Sequence, residues 1–415
     1  MYNKMLMKGA KFFTIFCLLV IAPIGLWAQS ADFYSAWSNL LKNFADPNTG
    51  LTSFPTLLIP MGGRLEGMGT AYTAMASDGG FMESNPAASS RLARTELSFF
   101  HHAWIADSNL EGAVYTMRFN DLGVGLAGKF LYVPFTAYNE WGVAGAQDYI
   151  TETTLTANVS YNFLSGYYFS GVSVGANLKA AYQSIPAVFA ANQSSLAVMA
   201  DFGIQTSFNF LKFYPSRTKN FSVGAAVKNL GITTLSDETL PQMASAGIAW
   251  NPLRPWTIAL DFNYPFMFSW QPPAEVWNVA VGTNVAVTSF LSLQAGVLMK
   301  ADNPRISLGT MIEMGTLSFD VNYNVDLSGS LSPLDKFSVQ AKLDLGDSGR
   351  GEREAHADQL YLQGVDEFAN GDYAKAIELW KAVLQIDPKY QPAADSIRTV
   401  QKTLSLQDQF QQLSP

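Results

Sequence analysis

A five-residue run, Gly171-Val172-Ser173-Val174-Gly175, has the spacing of a nucleophile elbow. That motif needs a strand, a sharp turn and a helix to expose its serine, plus a histidine to take the proton. Here the run lies inside an alternating strand pattern, and the one histidine downstream is His356. A barrel-embedded phospholipase would need a histidine two residues from that serine, and glycines stand at both positions. His101 and His102 are adjacent, so on a strand they point to opposite faces and cannot chelate one ion; no third ligand is near. The glycines at 62–69 lack the Gly-Lys-Ser/Thr ending of a phosphate loop. No catalytic residue, metal site or cofactor is expected, and the chain reads as a non-enzyme. The residues with meaning are those that build a container.

Composition says what kind. The 415 residues carry 26 Lys+Arg against 34 Asp+Glu, one Cys and a pI near 5.0, which offers no basic footprint for nucleic acid. Residues 31–345 hold 16 basic and 23 acidic side chains, about 12% of that stretch, half the norm for soluble proteins. Residues 346–415 hold 7 and 11, about 26%, an ordinary soluble value. Two solvents are implied. Residues 1–30 read as a signal peptide: Lys4, Lys8 and Lys11, an apolar core from Phe12 to Trp27, then Ala28-Gln29-Ser30. Export as a membrane anchor is the alternative, but the run is short of the ~20 residues a span needs. Cleavage would remove Cys17, leaving no thiol.

From residue 95 to 345 the pattern has period two. Leu155 to Phe163 alternates without a slip, as do Leu317 to Val325 and Phe337 to Leu345. Such alternation argues for strands with one apolar and one polar face. Fourteen are expected, over 95–104, 111–119, 122–133, 149–163, 167–183, 196–211, 219–230, 242–250, 254–264, 275–286, 289–300, 305–313, 316–325 and 335–345. Many reach the nine to eleven residues a tilted membrane strand requires. Longer and shorter connections alternate, aromatics gather at strand ends, and a closed barrel would remove exposed edges. The expected fold is an all-β transmembrane barrel of 14 antiparallel strands with a hatch in its lumen, plus a small all-α C-terminal repeat. A lumen that wide needs filling. Residues 31–94 are the material: a short amphipathic helix (Phe33, Trp37, Leu40, Leu41, Phe44), then a Gly-rich hatch.

The run Gly62-Gly63-Arg64-Leu65-Glu66-Gly67-Met68-Gly69-Thr70-Ala71-Tyr72, with Ala74, Asp78 and the triplet Asn85-Pro86-Ala87, resembles the hatch of the FadL family of outer-membrane transporters. It resembles an uncharacterised FadL-like branch found in spirochaetes and the related PorV-like barrels. The resemblance implies transport of long-chain fatty acids or other hydrophobic small molecules, with capture in a hatch or lumen pocket. It also implies lateral release into outer-membrane lipid near a kinked third strand, where Gly123, Gly125 and Gly128 fall; glycines weaken a strand but are common in barrels. Met75, Phe81 and Met82 are candidates for the hydrophobic pocket, and equally for plain plug-to-wall packing. The family's basic residue near the fatty-acid carboxylate has no match by position. The alternative is a PorV-like adaptor that binds proteins through its loops, such as Tyr138 to Trp141, or through its tail.

Residues 346–354 form a polar linker. Beyond it, Gly364, Tyr373, Ala376, Trp380 and Pro388 sit in a pattern that resembles a tetratricopeptide repeat over 355–415. One repeat buries too little surface to stand alone, so it should pack on the barrel rim, a second copy or a periplasmic protein. An even strand count puts both chain ends on the periplasmic side of a bacterial outer membrane.

Overall fold

The computed structural model describes Asn48 and residues 50–413, apart from 76–77, 106, 139–140, 191, 236–237, 269–274, 301–303 and 328–334. The expected signal peptide and amphipathic helix lie outside the described residues. Fourteen antiparallel strands close into one barrel in simple sequence order, with β1 (Glu96–Ala103) pairing both β2 (Asn109–Phe119) and β14 (Lys336–Asp344). Between them run β3 (Leu122–Tyr138), β4 (Ala144–Phe163), β5 (Val172–Ser184), β6 (Ser195–Phe208), β7 (Phe221–Thr233), β8 (Met243–Leu253) and β9 (Trp256–Pro265). β10 (Asn278–Ala286), β11 (Leu291–Met299), β12 (Arg305–Met314) and β13 (Leu317–Asp326) complete the wall.

The alternation in sequence becomes two faces. In β6 the inward set Ser195, Ala197, Met199, Asp201, Gly203, Gln205 and Ser207 is buried, while Leu196, Val198, Phe202, Ile204 and Phe208 are exposed. The polar face therefore looks into the lumen and the apolar face out. No helix among the described residues is long and apolar enough to cross a membrane, a test that does not concern strands.

Several ends differ from the sequence reading. β5 starts at Val172, not at 167, because residues 164–171 form a turn with Leu164 and Gly171 at positive φ. β3 and β4 run longer than expected and pair as far as Tyr138↔Ala144, while β4 meets β5 only from Thr151↔Ser184. Their hairpin thus rises above its neighbour.

Residues 48–94 fill the lumen with two one-turn helices, α1 (Gly63–Gly67) and α2 (Phe81–Ser84), and two short 3-10 turns, Pro55–Leu57 and Pro86–Arg91. The described hatch begins at the long-loop end, opposite the tail rather than on one side with it as the even strand count suggests, and there the Gly50 N–H meets Glu275 and the Ser53 N–H meets the Thr239 carbonyl. It leaves at the short-turn end, where Thr95 exchanges backbone hydrogen bonds with Leu345 and Gly346.

The tail forms α3 (Arg350–Ala369), α4 (Tyr373–Ile386) and α5 (Gln391–Leu413) around Ala357, Ala376, Trp380, Val383, Tyr390, Ala393 and Val400. Gly364 lies under the Trp380 indole, where a Cβ would overlap it, and Trp380 Nε1 donates to the Tyr361 carbonyl at 3.2 Å. Asp372 caps α4 through the Lys375 N–H, Tyr373 sits in its first turn against Phe368, and Pro388 follows its end. The tail docks on the short-turn end. Arg217 of the β6–β7 turn stacks on Tyr167 and Tyr390 at 4.4 and 5.2 Å and pairs with Asp358 and Asp387. Lys389 reaches Asp121 at 2.5 Å and Ser165 at 2.6 Å.

Candidate functional site: the hatch and the lumen cavity

A hatch with little regular structure carries many backbone groups that need partners once buried. The wall's inward polar residues supply them. Asp261 accepts the N–H groups of Tyr72 and Thr73, both at 2.8 Å; Asn322 donates to Gly63 O at 3.0 Å and Asn177 to Met82 O at 3.1 Å. Glu66 of α1 takes hydrogen bonds from Asn324 and Ser338, and His102 Nε2 lies 3.4 Å from it while His102 Nδ1 meets Pro60 O at 3.0 Å. His101 points outward to Glu111. Ser173 is buried at the start of β5, where its Oγ accepts from Ser90 Oγ at 3.1 Å.

The triplet at 85–87 is seated most closely. Asn85 donates to Thr73 O at 2.8 Å and to Ile204 O at 3.1 Å, and accepts the Ala87 N–H at 3.1 Å. Asn158 donates to Pro86 O at 3.0 Å, and Ala87 is fully buried. The wall beneath has no side chains to spare: a Cβ at Gly175 would overlap the Pro86 carbonyl, and one at Gly203 the Asn85 carboxamide. Gly123 plays the same part under Ser89 and Ser90, and Gly125 lies against Phe81 and Met82. Gly128 faces out, with only Leu155 Cδ2 near at 3.6 Å. The β2–β3 and β3–β4 ladders run unbroken through all three glycines. Met75, Phe81 and Met82 are buried at 8%, 0% and 2% exposure in two hatch-to-wall clusters.

Above these clusters lies a cavity of about 130 Å³, lined on the hatch side by Thr56 to Met61 and Met82 to Ser84. Of the three pocket candidates only Met82 borders it. Its wall side brings in Lys129, Lys179, Lys228, Lys300 and Arg305, against Asp261. Three of these cations are spent. Lys129 is held by Glu83 and the Thr56 and Ile59 carbonyls, Lys179 by Asp201 at 2.7 Å, and Lys300 by Glu275 at 2.6 Å. Lys228 donates only to the Glu83 carbonyl at 3.2 Å, and neither it nor Arg305 has a carboxylate within 4.0 Å among the described residues.

None of these cations was singled out from sequence. Lys228 faces inward in phase with Gly224 and Ala226, and a β-bulge turns Asn229 inward beside it: the register shifts between Ala200 and Phe202, so Asp201 alone faces Lys228 and Asn229, and Asn229 takes positive φ. Two polar residues in succession, breaking a strict alternation, were the available signal.

Comparison with known proteins matches residues 32–347, hatch and barrel together, to the uncharacterised protein family UPF0164. The chain belongs to that family. A UPF0164 protein of Treponema pallidum (strain Nichols) is 27% identical over 413 residues, covering 96% of this chain and 94% of its own. A second from the same organism is 26% identical over 391 residues, covering 85% and 76%. Among solved structures, this UPF0164 chain is similar to the CymD monoaromatic hydrocarbon channel, with 12% identity, a TM-score of 0.47, and coverage of 70% of this chain and 98% of that one. The Pseudomonas putida toluene transporter TodX gives 12%, 0.45, 68% and 96%.

Proposed function

We propose that this chain is an outer-membrane barrel that admits a hydrophobic small molecule bearing an anionic head, with a long-chain fatty acid the first candidate. The apolar outer face of the strands supports the membrane setting. The observation that carries the rest is the lumen cavity, where Lys228 and Arg305 face a void with no carboxylate within 4.0 Å of either among the described residues. A guanidinium and an ammonium so placed favour a carboxylate, and the neighbouring Leu57, Ile59, Met61 and Met82 favour carbon. At about 130 Å³ the cavity is below the roughly 300–1,000 Å³ of a drug-sized site, so it receives a head group and first few carbons. A full acyl chain requires hatch or loops to give way.

Lateral release near β3 completes the reading. The inward faces of Gly123 and Gly125 bear no side chain, so at those two positions β3 meets the hatch through its backbone, while Lys129 and Leu131 further along the strand hold it through side chains. On the opposite side of the same wall, an apolar depression of about 570 Å³ spans Leu126, Gly128, Leu155 and Leu178. An acyl chain gains about 0.8 kcal/mol per CH₂ buried there or in lipid. Because the ladders are unbroken, release on this side requires strand or hatch to part.

The test is uptake of tritiated oleate by cells lacking their own fatty-acid transporter, comparing the intact chain with an Asn85→Ala, Pro86→Ala variant. Hatch-dependent uptake supports the proposal. A folded, heat-modifiable barrel that supports no uptake of oleate or shorter acids overturns it. The second reading, a PorV-like adaptor, draws support from the raised β3–β4 hairpin, where Tyr138 and Trp141 are 68% and 86% exposed. The tetratricopeptide-like tail as a dock for a periplasmic protein belongs to both readings.

A further inference from the structure

We infer that the lumen mouth beneath the helical tail holds a binding site for an oxyanion head group, a carboxylate or a phosphate, formed by Arg91, Arg118 and Arg350. Each arginine comes from a different part of the chain. Arg91 ends the hatch, Arg118 is on the lumen face at the end of β2, and Arg350 opens α3 of the tail. Arg118 and Arg350 meet at the last residues of the hatch: Arg118 Nη1 donates to Leu92 O at 3.2 Å, Arg350 Nη2 donates to the same oxygen at 3.4 Å, and Arg350 Nη2 also donates to Ala93 O. Arg91 donates to Ser170 O at 3.4 Å, Ser170 Oγ at 3.2 Å and Ser207 Oγ at 2.7 Å.

Every acceptor in that set is neutral. Among the described residues no carboxylate lies within 4.0 Å of any of the three guanidiniums, whereas Arg94 close by is paired with Asp344. Asp121, the nearest acid on the β2–β3 turn, is taken by Lys389 and Ser165. Burial, and then the charge of Arg118, lower the Arg91 guanidinium to about 10, so it stays protonated while repelling its neighbour. Arg350 Nη1 is buried and meets no acceptor. Clustered like charges, here half-buried, favour a counter-charge, and guanidinium forks match carboxylate and phosphate in geometry. An oxyanion shared by the three would supply both needs.

The site lies at the opposite end of the lumen from Lys228 and Arg305. As a second station for the transported head group it rests on the transporter reading; as an anion site it does not. The experiment titrates inorganic phosphate and, separately, dodecyl phosphate into the purified full-length protein in nonionic detergent by calorimetry. Intact protein should bind at least one probe, and dodecyl phosphate alone binding would mean that the anion arrives on an amphiphile. Arg350→Gln, whose substitution lies outside the barrel wall, should weaken that binding ~tenfold or more, with Arg350→Lys, which keeps the charge but not the fork, weakening it less. Lys228→Gln should leave the mouth site filled. No binding of either probe overturns the inference. So does equal binding by folded Arg350→Gln and Arg118→Gln proteins. Loss in Lys228→Gln alone assigns the anion to the upper cavity, overturning this site while leaving the transporter reading intact. Failure of oleate uptake, with phosphate binding still dependent on Arg350, does the reverse.

Discussion

Replacing Lys228 by Gln separates a ligand-binding cation from a structural one. In the empty cavity Lys228 makes a single hydrogen bond, to the Glu83 carbonyl at 3.2 Å, which a glutamine amide can replace in kind. The change therefore costs the folded protein about 1 kcal/mol or less. What it removes is a charged donor for an incoming carboxylate, and such hydrogen bonds are worth about 1.5–3 kcal/mol, or ~10–150-fold in Kd. Lys129→Gln is the contrast. Lys129 bonds the Glu83 carboxylate and two hatch carbonyls while 7% exposed, and its loss leaves a largely buried carboxylate with only the Met61 N–H, costing about 3 kcal/mol. The assay is oleate binding by calorimetry in nonionic detergent beside urea unfolding of each protein. Lys228→Gln should weaken oleate with its unfolding midpoint nearly unchanged, and Lys129→Gln should lower the midpoint. Unchanged oleate affinity in a folded Lys228→Gln protein would refute the assignment of the head-group site.

The wall glycines make a second discriminating pair. Gly203→Val should destabilise the barrel by about 1–3 kcal/mol or block hatch seating, because its side chain would overlap the Asn85 carboxamide, whereas Gly128→Ala should be neutral within about 0.5 kcal/mol; heat-modifiability on gels and urea midpoints read both. Trp380→Ala should loosen the tail by about 3–5 kcal/mol and expose residues 346–354 to trypsin without changing the barrel's migration. Tail docking should also depend on pH. Burial pulls the Asp121 carboxyl up, but hydrogen bonds from Lys389 and Ser165 outweigh it and hold the group below the ordinary aspartate range. A depressed carboxylate stabilises above its unfolded value, about 3.9, and that contribution disappears as pH falls through the lower folded value. Hydrogen exchange in α4 and α5, corrected for the intrinsic rate at each pH, should therefore be steady from pH 7 to 5 and rise below about pH 4. The rise should be absent in Lys389→Ala, which starts from the loosened state.

The barrel was legible because its physics is local. Each strand must present carbon to one side and polar groups to the other, and that alternation is written residue by residue. It failed where locality fails. Tyr167, Tyr168 and Phe169 look like the start of β5, yet Gly171 at φ 81° turns the chain there and frees Tyr167 to face Tyr390 at 4.8 Å. Pro134, Gly142 and Gly145 look like loop, yet the β3–β4 ladder runs through Pro134↔Tyr149 and Thr136↔Gln147 to Tyr138↔Ala144. The hatch triplet was recognisable as a motif, but its seat was not, since Gly175 and Gly203 matter only through what they touch across the lumen.

The seat and the cavity together say where this plug can yield. Around residues 85–90 the hatch is backbone against glycine, with Asn85, Asn158, Ser160 and Ser173 satisfying buried groups. Moving that part breaks several hydrogen bonds at once, each exposing a buried polar group at about 1–3 kcal/mol. Residues 56–61 face a void instead, and much of their hold is electrostatic, through Lys129 to the Thr56 and Ile59 carbonyls and through Glu83 to the Met61 N–H. If the proposed anion enters there, the segment bordering the cavity is the one it can displace at lower cost, since the triplet is held by more buried hydrogen bonds.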